Sequence, residues 1–396
     1  MALPISASKL YWSSCRLFPR LPRLFSAPSR FYVSREGIDY STVAVAEAES
    51  FMKRCMLATG ANPDHCAVLA EVLACADHRG HCSHGMNRLE MYVNDVEGGM
   101  TEKDGQPVVL KEMAGTAWVD GRNLLGPVVG KFCTDLAIQK ARDAGIGWVV
   151  AKGSNHYSIA GWYTLRCMEQ GMIGMSFTNT SPLVVPTRAR KPMFGTNPIS
   201  CGAPAQNGDG YVLDMATSTV ALGKIELNAV KEIPIPNGWG CDATGRESND
   251  PKSVIAGGGL LPLGGSEISG GYKGYGLAMM VDIFCGILGG AQFGPNVRKW
   301  KVNDRVADLG QCFVAINTEA FAPGFSGRLD ELMAMCRGAE PAEGETEVLV
   351  AGDPERQHMA KVAKDGGLRY HHNLLKQMDA LATKLKVNPI QRVTST

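Results

Sequence analysis

Hydrophobic residues recur every three or four positions over residues 42–77, and this spacing predicts helical structure. The turn residues at 62–64, Asn-Pro-Asp, divide this stretch into two helices. Ser83 can cap the backbone N–H groups of a third helix, which the glycines at 98–99 end. The buried face of this third helix is predicted to consist of Met86, Leu89, Val93 and Val96.

From residue 108 onward the pattern changes to short apolar strands that alternate with amphipathic helices. Strands are predicted at 117–120, 148–151, 173–178, 211–214 and 311–317. Helices are predicted at 130–144, 162–170, 276–288 and 373–385. The Gly- and Pro-rich stretch 232–271 is predicted to be a long ordered loop. Alternating strands and helices favour an α/β architecture.

Composition and charge narrow the class of protein. The 396 residues carry 40 Lys and Arg against 39 Asp and Glu, so no basic field favours nucleic acid as a partner. The longest apolar run, 275–288, is too short to span a bilayer and contains Asp282. The 12 cysteines include no CxxC pair, which favours reduced thiols in an intracellular protein.

Residues 1–35 differ from the rest of the chain. They are rich in Arg and Ser and contain no acidic residue, a composition typical of a mitochondrial transit peptide. Residues 30–34 also resemble a cleavage site for a matrix protease. We therefore expect a mitochondrial matrix protein. A disordered basic leader on a cytoplasmic protein is the alternative.

The segment GHCSHGMNRLEMY, residues 80–92, carries the first candidate chemistry. A helix beginning at Ser83 would place His84, Arg88 and Tyr92 on one face. An imidazole can exchange a proton near neutral pH and a guanidinium can bind a carboxylate, which suits a 2-hydroxy or 2-oxo acid. A solvated helix face is the alternative without function. A zinc site is a further alternative, with ligands from His78, His81, Cys82 and His84.

Three further segments could bind or convert a ligand. His156 lies in GSNHYSIAGWY after a predicted strand, where a rigid scaffold can orient it, although a lone loop histidine is more often structural. Residues 194–204 and 214–224 contain small and hydroxyl side chains that allow a close ligand approach. Lys273 lies among glycines at a predicted helix start and could bind phosphate. The chain contains neither a P-loop nor GxGxxG, so a Rossmann fold is not indicated.

Taken together, six ordered motifs resemble one family from about residue 40 to about residue 375. The motifs are SHGMNRL (83–89), SNHYSIAGWY (154–163), FGTNPIS (194–200), LDMATSTVALGK (213–224), IPNGWGCDATG (235–245) and LPLGG…GGYKGYGLAMMVD (261–282). This is the malate/L-lactate dehydrogenase family that is unrelated to the Rossmann enzymes of those names. It also includes sulfolactate dehydrogenases, ureidoglycolate dehydrogenases and piperideine-2-carboxylate reductases.

The resemblance implies an α/β fold, a three-layer sandwich whose mixed, non-Rossmann sheet binds the cofactor within residues 116–317. It implies that a helical N-terminal part, 36–115, packs with the C-terminal part, 318–396. It further implies a homodimer with active sites near the subunit interface, and no metal.

The resemblance also implies roles for single residues. Ser83, Arg88 and Tyr92 would bind the substrate, and His156 would be the catalytic acid/base, with His84 as its hydrogen-bond partner or as the alternative base. The positions that match the family's cofactor contacts are Thr178, Thr180, Asp214, Met215, Ala216 and Lys273. Residues 351–355 resemble the family's C-terminal loop at the adenosine end, but without its usual proline–glycine–glutamate order. Cys82 stands where an acid is common.

The expected activity is hydride transfer between NAD or NADP and a small 2-hydroxy acid or 2-oxo acid such as malate or lactate. The alternatives are reduction of a cyclic imine or another 2-oxo acid, an inactive relative that acts as a binding protein, and a zinc-dependent alcohol dehydrogenase. The sequence leaves open the substrate, the choice between NAD and NADP, and which histidine carries the proton.

Overall fold

The computed structural model describes residues 39–299, 302 and 305–393. The leader, residues 1–35, lies outside them, so its function as a transit peptide stays a prediction. The strands are β1 (Tyr40–Val43), β2 (Val108–Glu112), β3 (Thr116–Asp120), β4 (Ile146–Ser154), β5 (Met172–Thr178), β6 (Ile199–Pro204), β7 (Gly210–Met215), β8 (Gly240–Cys241), β9 (Glu247–Ser248), β10 (Gly259–Leu260), β11 (Leu309–Asn317) and β12 (Leu368–His371). The helices are α1 (Val45–Ala58), α2 (Pro63–His78), α3 (Leu89–Glu97), α4 (Gly126–Ala144), α5 (Gly161–Met168), α6 (Leu222–Lys231), α7 (Pro251–Ile255), α8 (Gly271–Asp282), α9 (Phe325–Arg337), α10 (Asp353–Lys364) and α11 (His372–Leu385).

A seven-stranded sheet organises the middle of the chain, in the order β2-β3-β4-β11-β5-β6-β7. The β3–β4 pair is parallel, whereas β11 runs antiparallel to both β4 and β5, so the sheet is mixed. The α/β class with a mixed sheet is therefore confirmed. The strand order also differs from a doubly wound parallel sheet, as the missing Rossmann fingerprint predicted.

Both faces of this sheet are covered by helices, which gives three layers. Phe313 and Ala315 of β11 pack in one core with α4 and α5. Their neighbours Cys312 and Val314 pack on the opposite face, in a core with α8. The side chains of a strand alternate between two faces, so a strand that is apolar on both must be buried between two helical layers.

The N-terminal and C-terminal parts of the chain share a separate core. It joins α1, α2 and α3 to β12 and α11, and β1 pairs antiparallel with β12. The predicted burial of Met86, Leu89, Val93 and Val96 is confirmed, with Met86 in the short turn before α3 and the other three on α3. The unit bounds 36–115 with 318–396, and 116–317, stay a prediction.

Several elements differ from the sequence expectation. Residues 42 and 43 belong to β1 and not to the first helix, because β12 pairs with them from the other end of the chain. The stretch expected to be a loop, 232–271, contains α7 and a small sheet in the order β10-β8-β9. In the part of the chain that the structure describes, no helix has both the length and the apolar character needed to cross a membrane.

Candidate functional site

The segment that carries Ser83, His84 and Arg88 is not one helix. It forms two short 3-10 turns, Cys82–His84 and Met86–Arg88, and α3 begins at Leu89. The prediction of a helix that begins at Ser83 is therefore wrong. The Ser83 hydroxyl makes a 2.7 Å hydrogen bond with Nδ1 of His84 and caps no backbone N–H group.

His84 and His156 nevertheless meet, although they lie far apart in the sequence. Their rings stack with centroids 5.7 Å apart and an interplanar angle of 18°. The buried Tyr92 supports this pair from α3, because its hydroxyl lies 2.6 Å from Nδ1 of His156 and 3.3 Å from the carbonyl oxygen of the same residue. The structure thus brings together three of the residues that the sequence selected.

Arg88 supplies positive charge beside this histidine pair. Its Nε donates a 2.7 Å hydrogen bond to the Ser83 carbonyl oxygen, which bends the side chain back over the turn. Burial, followed by the charges of Arg88 and His81, lowers the pKa of His84 to about 4. Burial, followed by His84 and Arg88, holds the pKa of His156 well below its usual 6.5. Both imidazoles are therefore neutral at pH 7, next to a guanidinium that attracts anions.

Two residues that sequence reasoning did not select fix the His156 loop, which follows β4. Ser158 lies in the left-handed backbone region, with φ +64°, and its hydroxyl donates a 2.8 Å hydrogen bond to the His84 carbonyl oxygen. Gly126 at the start of α4 lies so close that a Cβ there would overlap the carbonyl oxygen of His156. No local sequence signal marks either residue, because both act through contacts distant along the chain.

Asp214, near the end of β7, lies next to the far end of the same loop. Its Oδ2 accepts a 2.7 Å hydrogen bond from the backbone N–H of Gly161, the first residue of α5. Burial raises the pKa of this carboxyl group. Met215 ends β7 opposite Ile199 of β6, and Ala216 follows it directly. Asp214 therefore borders the histidine loop, and Met215 and Ala216 follow it along the chain.

The remaining cofactor candidates form a second group around Asn197. This residue is fully buried at φ +34°, and its Oδ1 accepts a 3.1 Å hydrogen bond from the backbone N–H of Thr180. The Thr217 hydroxyl donates to the Asn197 carbonyl oxygen, and the Thr217 carbonyl oxygen accepts from the backbone N–H of Leu263. The sequence analysis did not select Asn197, which connects Thr180 and Thr217. Thr178 is buried at the end of β5, two residues before Thr180, and its hydroxyl donates to the Gly310 carbonyl oxygen at 3.2 Å.

Lys273 lies beside this group, in the first turn of α8. A Cβ on the next residue, Gly274, would overlap the backbone of Leu263, so the helix start packs directly on the turn that contains Leu263. The ammonium group is exposed and lies 5.9 Å from the Tyr272 ring centroid. A lysine ammonium group and the positive end of a helix dipole suit an anionic diphosphate, so the start of α8 fits a dinucleotide.

The late segment 351–355 packs against the edge of the large sheet. The Ala351 carbonyl oxygen accepts a 3.0 Å hydrogen bond from the backbone N–H of Val212 in β7. Asp353 pairs with Arg337, and Glu355 reaches within 3.6 Å of His81. The segment therefore lies near Asp214, and its role at the adenosine end stays a prediction.

The zinc alternative gains no support from the geometry. Among the residues that the structure describes, no three His, Cys, Asp or Glu side chains are arranged to hold a metal ion.

The family model described as malate/L-lactate dehydrogenase matches residues 43–379. The chain belongs to this family. Malate dehydrogenase of Pyrococcus abyssi is 41% identical over 298 residues, which are 74% of this chain and 82% of that protein. The Delta(1)-pyrroline-2-carboxylate/Delta(1)-piperideine-2-carboxylate reductase of Pseudomonas syringae pv. tomato is 33% identical over 301 residues, 75% of this chain and 85% of that protein.

Solved structures agree with this assignment. The structure of sulfolactate dehydrogenase from Methanocaldococcus jannaschii superposes with a TM-score of 0.80 at 33% identity, covering 88% of this chain and 98% of that one. The family and the fold predicted from the motifs are therefore confirmed, and the chain is a dehydrogenase by family.

Proposed function

We propose that this protein transfers a hydride between NAD or NADP and a small 2-hydroxy acid or 2-oxo acid such as malate or lactate. The observation that carries the proposal is the stacked pair of neutral imidazoles, His84 and His156, beside the Arg88 guanidinium. Interconversion of a hydroxyl and a carbonyl group needs a proton carrier, and the acid's carboxylate needs a cation.

We assign His156 as the proton carrier. Burial raises the pKa of the Tyr92 hydroxyl, which therefore keeps its proton and can donate it to the carbonyl oxygen of His156. The Tyr92 oxygen lies 2.6 Å from Nδ1 of His156 and would accept Nδ1–H in the tautomer that leaves the lone pair on Nε2. In oxidation Nε2 takes the substrate hydroxyl proton, and in reduction the resulting imidazolium returns it. His84, held by Ser83, is the hydrogen-bond partner or the alternative base.

Arg88 is assigned as the carboxylate anchor, with Ser83 and Tyr92 as the other substrate contacts. A guanidinium forms charge-assisted, bidentate hydrogen bonds with a carboxylate, each worth about 1.5–3 kcal/mol. Burial keeps both imidazoles neutral, and the Arg88 charge adds to this effect. The bound acid would balance the Arg88 charge, so binding itself would raise the pKa values of both histidines.

The nicotinamide cofactor supplies the hydride acceptor or donor when it is bound. Of this chain's residues, Thr178, Thr180, Asp214, Met215, Ala216 and Lys273 would hold it. Their placement supports this role. Asp214 borders the His156 loop, Thr180 bonds Asn197, and Lys273 lies in the first turn of α8.

A second candidate is the reduction of a cyclic imine such as piperideine-2-carboxylate. The similar Pseudomonas syringae reductase favours it, and a C=N bond next to a carboxylate needs the same proton carrier and the same cation. Malate, lactate, sulfolactate and imine substrates differ at the second substituent, so a substrate panel separates them.

The test is oxidation of NADH and of NADPH over a panel of 2-oxo acids and cyclic imines. We expect one cofactor and one substrate class to dominate, without loss of activity in a chelator. Arg88→Ala should mainly raise KM, and His156→Ala should abolish turnover while cofactor binding persists. Unchanged KM in the first variant or unchanged turnover in the second contradicts its assignment, and no turnover on any substrate would favour an inactive binding protein.

We also propose that the protein is a homodimer that associates through α8 and the π-helical turn after it. Tyr272, Met279, Ile283 and Ile287 share one side of this helix and are 44–53% exposed, an apolar stripe that favours a partner. Ile283→Asp should convert the dimer to a monomer in light scattering after size exclusion. A monomeric wild-type protein contradicts the proposal.

For the location of the protein we propose the mitochondrial matrix, on the composition of residues 1–35. Fusion of this segment to a fluorescent protein should direct it to mitochondria. Uniform cytoplasmic fluorescence would favour the alternative.

A further inference from the structure

A carboxyl group lies buried directly behind the histidine turn. Asp77, the next-to-last residue of α2, is 2% exposed. Its Oδ2 accepts two hydrogen bonds, one of 2.9 Å from the backbone N–H of Met86 and one of 2.7 Å from the hydroxyl of Tyr370 in β12. A buried carboxyl group is costly unless it is hydrogen-bonded, so these two donors define where the group lies.

The Met86 N–H lies at the junction between the two 3-10 turns. The turn before it carries Ser83 and His84, and the turn after it carries Arg88. A continuous helix would have bonded this N–H to a backbone carbonyl oxygen. Asp77 supplies the acceptor from another helix, and it thus does what the sequence analysis assigned to the Ser83 hydroxyl.

Gly85 makes this arrangement sterically possible. A Cβ on Gly85 would overlap the Asp77 carboxyl group, so the glycine lets the turn approach the carboxylate closely. The backbone at Gly85 has φ −96° and ψ −137°, which ends the first turn and redirects the chain. The direction of the His84 and Arg88 side chains is therefore set at a junction that Asp77 holds.

We propose that Asp77, supported by Tyr370, is a positioning residue that orients His84 and Arg88 for the reaction. Asp77 contacts no reacting atom, and it acts through the Met86 backbone. Through Tyr370 it also ties the C-terminal strand β12 to the histidine turn. The proposal rests on the proposed function for its kinetic consequences, whereas its structural consequence stands by itself.

The first measurement does not depend on activity. Amide hydrogen exchange of the peptide spanning residues 82–90 should be about tenfold faster in Asp77→Ala than in the wild type, because one buried hydrogen bond is lost. Exchange in β5, residues 172–178, should stay near the wild-type rate, because this strand lies in the large sheet and pairs with β11 and β6. Asp77→Asn keeps an oxygen that both donors can reach, so it should restore slow exchange.

The second measurement is the split between KM and kcat. Asp77→Ala should raise KM for the acid and lower kcat, together a loss of about 10- to 100-fold in kcat/KM. Cofactor affinity should stay unchanged, and Asp77→Asn should recover most of the loss. A residue that only stabilises the fold would lower the melting temperature and leave both constants of the folded protein unchanged.

Tyr370→Phe keeps the proposal testable if Asp77→Ala does not fold. It removes one donor and should speed exchange at 82–90 and lower kcat/KM, each about fivefold. Tyr40→Phe is the matched control, because Tyr40 lies in the pairing strand β1 and is 39% exposed. Wild-type exchange at 82–90 in Tyr370→Phe, or in a folded Asp77→Ala, overturns the proposal. Inactivity of the wild type would overturn the proposed function alone.

Discussion

Removal of the Tyr92 hydroxyl tests the histidine site most directly. In Tyr92→Phe the ring still fills its buried place, but His156 loses the oxygen that lies 2.6 Å from Nδ1 and 3.3 Å from its carbonyl oxygen. The imidazole then loses the hydroxyl group that orients its ring. We expect a loss of turnover without unfolding.

The size of this loss follows from the burial of the imidazole. A buried polar atom left without its partner costs about 1–3 kcal/mol, more than the net 0.5–1.5 kcal/mol of an ordinary hydrogen bond. If this cost raises the free energy of the transition state, kcat/KM falls by a factor of about 5 to 150. The Tyr92→Phe protein should have nearly wild-type cofactor affinity, because no cofactor candidate contacts the hydroxyl.

The assay is steady-state oxidation of the reduced cofactor by the best 2-oxo acid, repeated in the reverse direction. Tyr157→Phe is the matched control. This tyrosine follows His156 and is equally buried, but its hydroxyl makes a 3.1 Å hydrogen bond with the Ser176 hydroxyl of β5 and not with a histidine. The control should lose stability but retain kcat/KM. Wild-type kcat/KM for Tyr92→Phe in both directions would refute the assignment of His156.

Three further predictions concern pH and backbone packing. The acid limb of kcat/KM for oxidation should lie below pH 6.5, since the pKa of His84 is lowered to about 4 and that of His156 well below 6.5; a limb at 6.5 contradicts this. Burial raises the pKa of Asp77 from 3.8 to about 7, so its contribution to stability is full below pH 3.8 and is lost as the pH rises through 7. In urea titrations, the free energy of unfolding of Asp77→Asn should therefore rise relative to that of the wild type as the pH goes from 3.8 to 7, by at most about 1.4 kcal/mol per pH unit. A difference that does not change with pH would contradict the burial argument. Gly126→Ala should lower turnover because its Cβ would overlap the His156 carbonyl oxygen, whereas Gly223→Ala, with open space around its Cβ, should not; equal activities refute the packing argument.

Local pattern was sufficient for most of the elements that build the fold. The apolar spacing at 86–96 identified the buried face of α3, and the apolar run at 311–317 identified β11. The local pattern at residues 42–43 could not predict β1, because these residues become a strand only when β12 pairs with them. The helix expected at Ser83 failed for a similar reason, since the acceptor at that turn comes from Asp77 in another helix.

The site shows the same division between local and distant information. The sequence by itself determined which side chains have the required chemistry, namely the imidazoles of His84 and His156, the Arg88 guanidinium and the Lys273 ammonium group. Only the tertiary structure decided that the two imidazoles stack, that Tyr92 fixes one of them, and that burial makes both neutral. The physical reason is that residue type fixes what a group can do, whereas its pKa and orientation depend on neighbours that folding brings from distant parts of the chain.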